Sequence, residues 1–212
     1  MSAALRTTAG AILSVIALAI IASVPVSFGL DRSTTLGAGV LTLFAVLCFG
    51  IVPLLLVKYV LREEIRAFGW RLPTNTRDVL LFGIPAGLVL IGGALFLSTQ
   101  PAFKAFYSFG SIDTASAFLF LLPAYLLYFT AEEFLFRGYL WHLLRRKGLF
   151  LALAVNVALF ALFHAQKPAV EVLVAAVVAV VFCLLTERTR SILPAVVLHI
   201  VFALSLMLFV NL

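Results

Sequence analysis

Five ionisable side chains of this sequence, four of them of kinds that move protons, sit in apolar surroundings: Glu132, Glu133, His164 and His199, with Arg137 as a fixed charge. A carboxylate beside imidazoles can take a proton from water, orient that water and steady an oxyanion, which is equipment for hydrolysing an acyl bond. Ionisable groups at bilayer depth are costly, so they are paired and turned inward for a purpose. Within Glu132–Gly138 the α-helical pitch separates two roles. Glu133 and Arg137 are four apart, the spacing at which a carboxylate N-terminal to a cation pairs on one helix face. Glu132 points about 100° away from Glu133. The Glu133–Arg137 pair therefore reads as structural, and Glu132 as the candidate general base.

The elements that must carry these groups are membrane helices. Of 212 residues, 64% are hydrophobic and 11% charged, and the mean hydropathy is +1.21. A water-soluble domain cannot hide that much apolar surface. The expected fold is an all-α polytopic bundle in a single integral membrane domain over residues 1–212. Seven apolar runs are long enough to span a bilayer: Ala9–Leu30, Leu36–Val57, Val79–Leu97, Ala115 into the Glu132 motif, Leu149–His164, Ala169–Leu185 and Ile192–Leu212. A re-entrant or interfacial helix would make eight. The net charge of +6 does not point to nucleic acid, because the basic residues gather at segment ends. With seven spans and the N-terminus inside, the inner segments hold eleven basic residues and the outer loops only Arg32, Lys104 and Lys167. That bias predicts a cytoplasmic N-terminus in an inner (plasma) membrane.

Depth tests whether the five groups can meet. Glu132 lies thirteen residues before Arg145, roughly 20 Å from that basic end at 1.5 Å per residue. His164 lies seventeen residues past Lys147, roughly 20–25 Å in, and His199, nine past Arg190, is about 13 Å in. With tilt, the three helices bring carboxylate and imidazoles to overlapping depths. The remaining features take simpler readings. His142 is expected at the interface, and Lys167–Glu171 as a snorkelling pair. Cys48 and Cys183 read as buried hydrophobes, and Gly92–Gly93 as a site of close helix approach. Lys58–Arg77 reads as an inner-surface segment with Trp70 at headgroup level. The aromatic stretch Gln100–Thr114, with Phe103, Phe106, Tyr107 and Phe109, reads as interfacial packing or a cover over an outer entrance.

Glu132-Glu133-x-x-Phe136-Arg137-Gly138 resembles the EExxxR motif of the CPBP family, the CAAX protease and bacteriocin-processing intramembrane proteases. Phe160-x-x-x-His164 is similar to that family's FxxxH motif, and Ser191–His199 resembles the lead-in to its HxxxN/D motif. Phe68–Gly69–Trp70–Arg71 looks like the family's entry segment. The resemblance covers a core of residues 68–212, leaving 1–67 as two N-terminal helices and an inner-surface segment. It implies an intramembrane endopeptidase in which Glu132 activates a water. His164 and His199 would position that water and steady the tetrahedral intermediate, or bind a metal. The family's final Asn/Asp is replaced here by Ala203, which removes a polar side chain beside His199. Loss of one oxyanion donor typically costs about 10²–10³ in rate. Asn156 is the nearest amide that could substitute or act from behind the site.

Glu132, His164 and His199 with an open position would suit a catalytic zinc. A metal-free glutamate mechanism serves equally well chemically, and it is the reading preferred from the sequence. Expected partners are membrane lipid and a peptide or prenylated-peptide substrate. Ala203 motivates an alternative: a catalytically impaired relative acting as a membrane scaffold or bacteriocin-immunity protein. A small transporter with Glu132 as proton relay is a third reading, although the chain lacks the internal repeat many transporters show.

Overall fold

In hydrocarbon every backbone N–H and C=O must find its partner inside the chain, and a chain this apolar does so with helices. The computed structural model describes residues 2–27, 35–108 and 114–212, and all regular structure in them is helical. A single turn, Ser2–Leu5, precedes α1 (Thr8–Ser27). α2 covers 35–61 and α3 is Thr76–Ser98. The seven-residue α4 is Pro101–Tyr107, and α5 runs over 114–145. The remaining helices are α6 (Leu149–Phe163), α7 (Ala169–Thr189) and α8 (Leu193–Val210). Each of the seven expected runs is helical where described. Arg32 and Phe109 lie outside the described residues.

Among the described residues, four helices have both the length and the apolarity to cross a bilayer: Gly39–Leu61, Thr76–Ser98, Ala169–Thr189 and Leu193–Val210. α6 has 15 residues, about 22 Å against a hydrocarbon core of roughly 30 Å. It therefore ends within the bundle, with His164 as its C-cap at φ −92°, ψ 4°. The sequence reading had placed His164 inside a span. It lies instead on the turn that closes a short helix, so its imidazole is not confined to a helix face.

α3 packs most extensively on α8, and α6 on α7. The main core gathers residues of α1, α2, α5, α6 and α7, including Phe49, Phe136, Leu140 and Phe160. Close backbone approach occurs at Gly50, where a Cβ would stand 3.2 Å from Ala131 Cβ, and at Gly87, 3.2 Å from Leu198 Cδ2. Gly92 and Gly93 face open space within 4 Å, which corrects the expectation of close approach there. No neighbour among the described residues uses their smallness.

The connection from α2 to α3 docks on the α7–α8 junction. Ile192 N–H donates to Gly69 O at 3.0 Å, Thr74 N–H to Thr189 O at 2.9 Å, and Ser191 Oγ to Arg71 O. Phe68 is buried and lies 4.2 Å, ring to ring, from His142. Trp70 is 41% exposed and meets Phe134 edge-on, which fits an interfacial indole. Gly69 has φ +84°, and a Cβ there would come within 2.8 Å of Ile192 Cγ2. Gly69→Ala is expected to lower stability by about 1–2 kcal/mol from the left-handed backbone alone. Gly92→Ala, in open space, should leave stability unchanged or slightly raised; thermal unfolding in detergent would compare the two.

Beyond the spans, Glu63 collects the same end of the bundle. It accepts from Arg6 at 2.6 Å and from both Nη atoms of Arg146. Burial works to raise the Glu63 pKa, but the hydrogen bonds from Arg146 and Arg6 outweigh it and hold the carboxyl below its usual range. His142, in the last turn of α5, is pushed down to about 4 by burial and by Arg146. Arg146 donates to its Nε2 at 2.7 Å, so the ring is neutral and its 3.8 Å approach to Glu63 is not an ion pair at neutral pH. Both shifts have the same sign. The unfolded chain binds more protons than the folded one as pH falls from about 6.5 toward 4, and stability is lost in that window. Below it, protonation of Glu63 removes more. The acid limb of a thermal-unfolding series against pH should flatten in His142→Asn and in Glu63→Gln.

Candidate active site

α5 changes pitch at the site. It is α-helical over Thr114–Glu133, π-helical over Phe134–Leu140 and α-helical again over Trp141–Arg145. A π-turn widens the helix and leaves carbonyls without their usual donors, and such turns gather at functional sites. One carbonyl is answered from α6, where Asn156 Nδ2 donates to Phe136 O at 2.7 Å. The turn also needs Gly138, because a Cβ there would lie 2.8 Å from Phe134 Cδ2 and 3.1 Å from Phe68 O. Asn156 is fully buried and is not part of the cavity wall described below. Its amide N–H is committed to the motif helix, so the residue offered from sequence as an oxyanion substitute instead braces the turn.

The two carboxylates and the arginine are buried to within 1%. Arg137 reaches Glu133 as expected, Nη1 to Oε1 and Nε to Oε2, each at 3.3 Å. Its guanidinium is also boxed by aromatic faces, 4.0 Å from the Phe160 centroid, 5.3 Å from Phe182 and 5.8 Å from Phe136. A desolvated cation over an aromatic face gains about 2 kcal/mol. The pair is not self-contained, however. His199 Nδ1 lies 2.7 Å from Glu133 Oε1, so Glu133 joins α5 to α8 in addition to neutralising Arg137.

Glu132 was expected to receive both histidines, and the structure brings neither within hydrogen-bond distance of it. Its Oε1 is buried without a hydrogen-bond partner, while His199, Glu133, Lys167 and Arg137 are the charged or titratable groups near enough to act on it. His164 Nδ1 donates to Phe160 O at 2.8 Å, since a carbonyl can only accept. Both imidazoles are thus held through Nδ1, which leaves Nε2 of each for another partner. The two rings flank Phe160, at 4.6 Å and 6.0 Å.

His164 and His199 share the wall of one cavity of about 650 Å³ with Phe129, Phe202 and Ala203. Its volume falls in the usual range of ligand sites, about 300–1,000 Å³. At another part of the wall Glu171, only 3% exposed, accepts from Tyr107 Oη at 2.7 Å and from Lys167 Nζ at 2.7 Å. This corrects the snorkelling reading: Glu171 is a buried member of the cavity wall, and α4 contributes Tyr107 to it. Nothing in the sequence marks Tyr107 beyond its place in an aromatic stretch. Among the described residues, no three of His, Cys, Asp and Glu gather closely enough to hold a metal ion. Glu132 does not stand with the two imidazoles, whose Nδ1 contacts to a carbonyl and a carboxylate are ones a metal-bound histidine also makes.

Breaking one side of a buried ion pair typically costs about 3–5 kcal/mol, because the other charge is left stranded. Arg137→Met should destabilise by that amount, and Glu133→Gln/Arg137→Met by less than the sum of the single changes. A double-mutant cycle on unfolding in detergent reads the coupling.

Residues 114–205 match the family model described as type II CAAX prenyl endopeptidase Rce1-like. No curated protein and no solved structure matches the chain.

Proposed function

We propose that the chain is a member of the Rce1-like group of type II CAAX prenyl endopeptidases, whose family model residues 114–205 match, and that it hydrolyses a peptide bond with Glu132 as the base. The observation that supports this most is the pair of imidazoles on one cavity wall, each fixed through Nδ1, with the unpartnered Glu132 Oε1 buried behind that wall and near His199. The Nε2 of one histidine accepts one proton of a water and so orients it. Its oxygen adds to the scissile carbonyl carbon while Glu132 takes the other proton. The same proton then passes to the amine that leaves as the C–N bond breaks. The apolar wall, with Phe129, Phe202 and Leu206, suits an apolar or prenylated peptide. The Arg-rich end of the bundle is the cytoplasmic one in this reading, by the bias of basic residues.

The 2.7 Å contact between His199 and Glu133 favours a second assignment of the base. Glu133 would orient His199 and stabilise its imidazolium, and His199 Nε2 would take the proton. Cleavage of a prenylated reporter peptide by protein in vesicles distinguishes the two. With Glu132 as base, Glu132→Gln loses at least about 10²-fold and Glu133→Gln less. With the His199–Glu133 pair as base, Glu133→Gln falls as far as His199→Ala, and Glu132→Gln falls little. Undiminished cleavage in Glu132→Gln, His164→Ala and His199→Ala rejects these residues as the catalytic site, and absence of cleavage by the unaltered protein rejects the peptidase reading in favour of a binding role. Ala203 lines the cavity next to Phe202, so Ala203→Asn is expected to raise the rate by restoring a polar donor there, up to about 10²-fold.

A further inference from the structure

A second cavity, about 330 Å³, opens at the Arg-rich end of the bundle; His142 is on its wall, and His164 and His199 are not. It is built where three pieces of chain meet: the docked segment around Gly69 and Arg71, the end of α5, and the end of α7. Four arginines line it, Arg71, Arg137, Arg145 and Arg190, with Glu187 as the acidic member. Glu187 is taken by Arg145 at 2.8 Å. Arg71 Nε donates to Arg190 O at 2.8 Å, which fixes its guanidinium without neutralising it. The Arg190 side chain has no hydrogen bond or ion pair among the described residues. Arg137 is shared with Glu133, yet its Nη2 is buried with no hydrogen-bond partner. Thr186, also on the wall and 5% exposed, likewise has an unpartnered buried hydroxyl.

Buried donors are almost always satisfied, and a cluster left open calls for a ligand that accepts. After Glu187 cancels Arg145, the wall keeps an excess of guanidinium, and planar guanidinium forks match the oxygens of phosphate. The surroundings say where that phosphate comes from. Trp70 at 41% exposure and Leu72 at 78% flank Arg71 in the docked segment, an apolar edge next to a cationic pocket at the end of the spans. That is the arrangement of the headgroup layer. We propose that this pocket binds the phosphate of an anionic membrane lipid, with Arg190, Arg71 and Thr186 as its adjustable contacts and Arg137 as its buried one. Binding here does not depend on the peptidase reading.

The test is lipid retention by the full-length purified protein, measured by native mass spectrometry during titration with phosphatidylglycerol and, separately, with phosphatidylcholine. Phosphatidylglycerol should be preferred, and Arg190→Gln and Thr186→Val should each weaken it, by about tenfold for the arginine, which loses a charge-assisted contact. Arg190 has no partner to lose, so this variant keeps the fold. Lys58→Gln and Arg66→Gln, basic residues outside the pocket's wall, should change retention less than about twofold. Equal losses in the pocket and control variants would mean diffuse attraction to the surface and overturn the site. A titration with inorganic phosphate separates the sources. Binding of inorganic phosphate that depends on Arg190, without preference for phosphatidylglycerol, would overturn the lipid assignment.

Discussion

A guanidinium with 1% exposure at bilayer depth is the constraint around which this molecule is arranged. Taking such a charge out of water costs several kcal/mol even after relaxation. The structure answers with one carboxylate, Glu133, and three aromatic faces, Phe136, Phe160 and Phe182, drawn from α5, α6 and α7. Arg137 thereby fixes three helices relative to one another. Glu133 then extends the same network to α8 through His199. A buried polar network of this kind specifies one packing among many that are equally greasy, since apolar helix faces alone discriminate poorly in lipid.

The π-helical stretch makes that convergence possible and has its own requirements. Phe136 O needs a donor, and Asn156 supplies it from α6. The backbone at Gly138 comes close to Phe68 O, so the widened turn is held from its far side by the α2–α3 connection. That connection is pinned in turn on the α7–α8 junction through Gly69 and Ile192. A continuous set of short-range contacts therefore runs from the docked segment at the Arg-rich end, through the π-turn, to the histidines. Asn156 and Gly138 touch nothing in the cavity, and they set where Glu132 and Glu133 stand.

Much of this was legible in the amino-acid sequence because the membrane makes the strongest demands plain. Uninterrupted apolar runs gave the helices, and i,i+4 spacing gave Glu133–Arg137. Similar depths placed a carboxylate within reach of an imidazole, as the His199–Glu133 contact has it. Depth could not say which carboxylate meets which histidine. Glu132 and Glu133 differ by about 1.5 Å along the axis and about 100° around it, and only the docking direction of α8 chooses between them. Nor could periodicity reveal the π-turn, since the apolar residues within it are buried on every side. Tyr107 and Glu171 were misread for a related reason. A Lys–Glu pair at i,i+4 looks the same on paper whether it snorkels or closes a cavity.

The cavity itself joins two polar clusters through one short turn. His164 O accepts from Lys167 N–H at 2.9 Å, so the histidine at the end of α6 and the lysine that holds Glu171 are tied by backbone. Because α6 stops short, this turn lies between the imidazoles and the Tyr107–Glu171 contact, and both ends of the cavity are set by the same few residues. A peptide entering this space would have its reacting carbonyl near the Nε2 atoms of His164 and His199, with Glu171 and Lys167 facing another part of the chain. In that arrangement Ala203 is the position where polarity is missing. His199, on the same wall, is the ring that Glu133 holds through Nδ1, so the contact that ties α8 to the bundle also sets where this imidazole stands in the cavity.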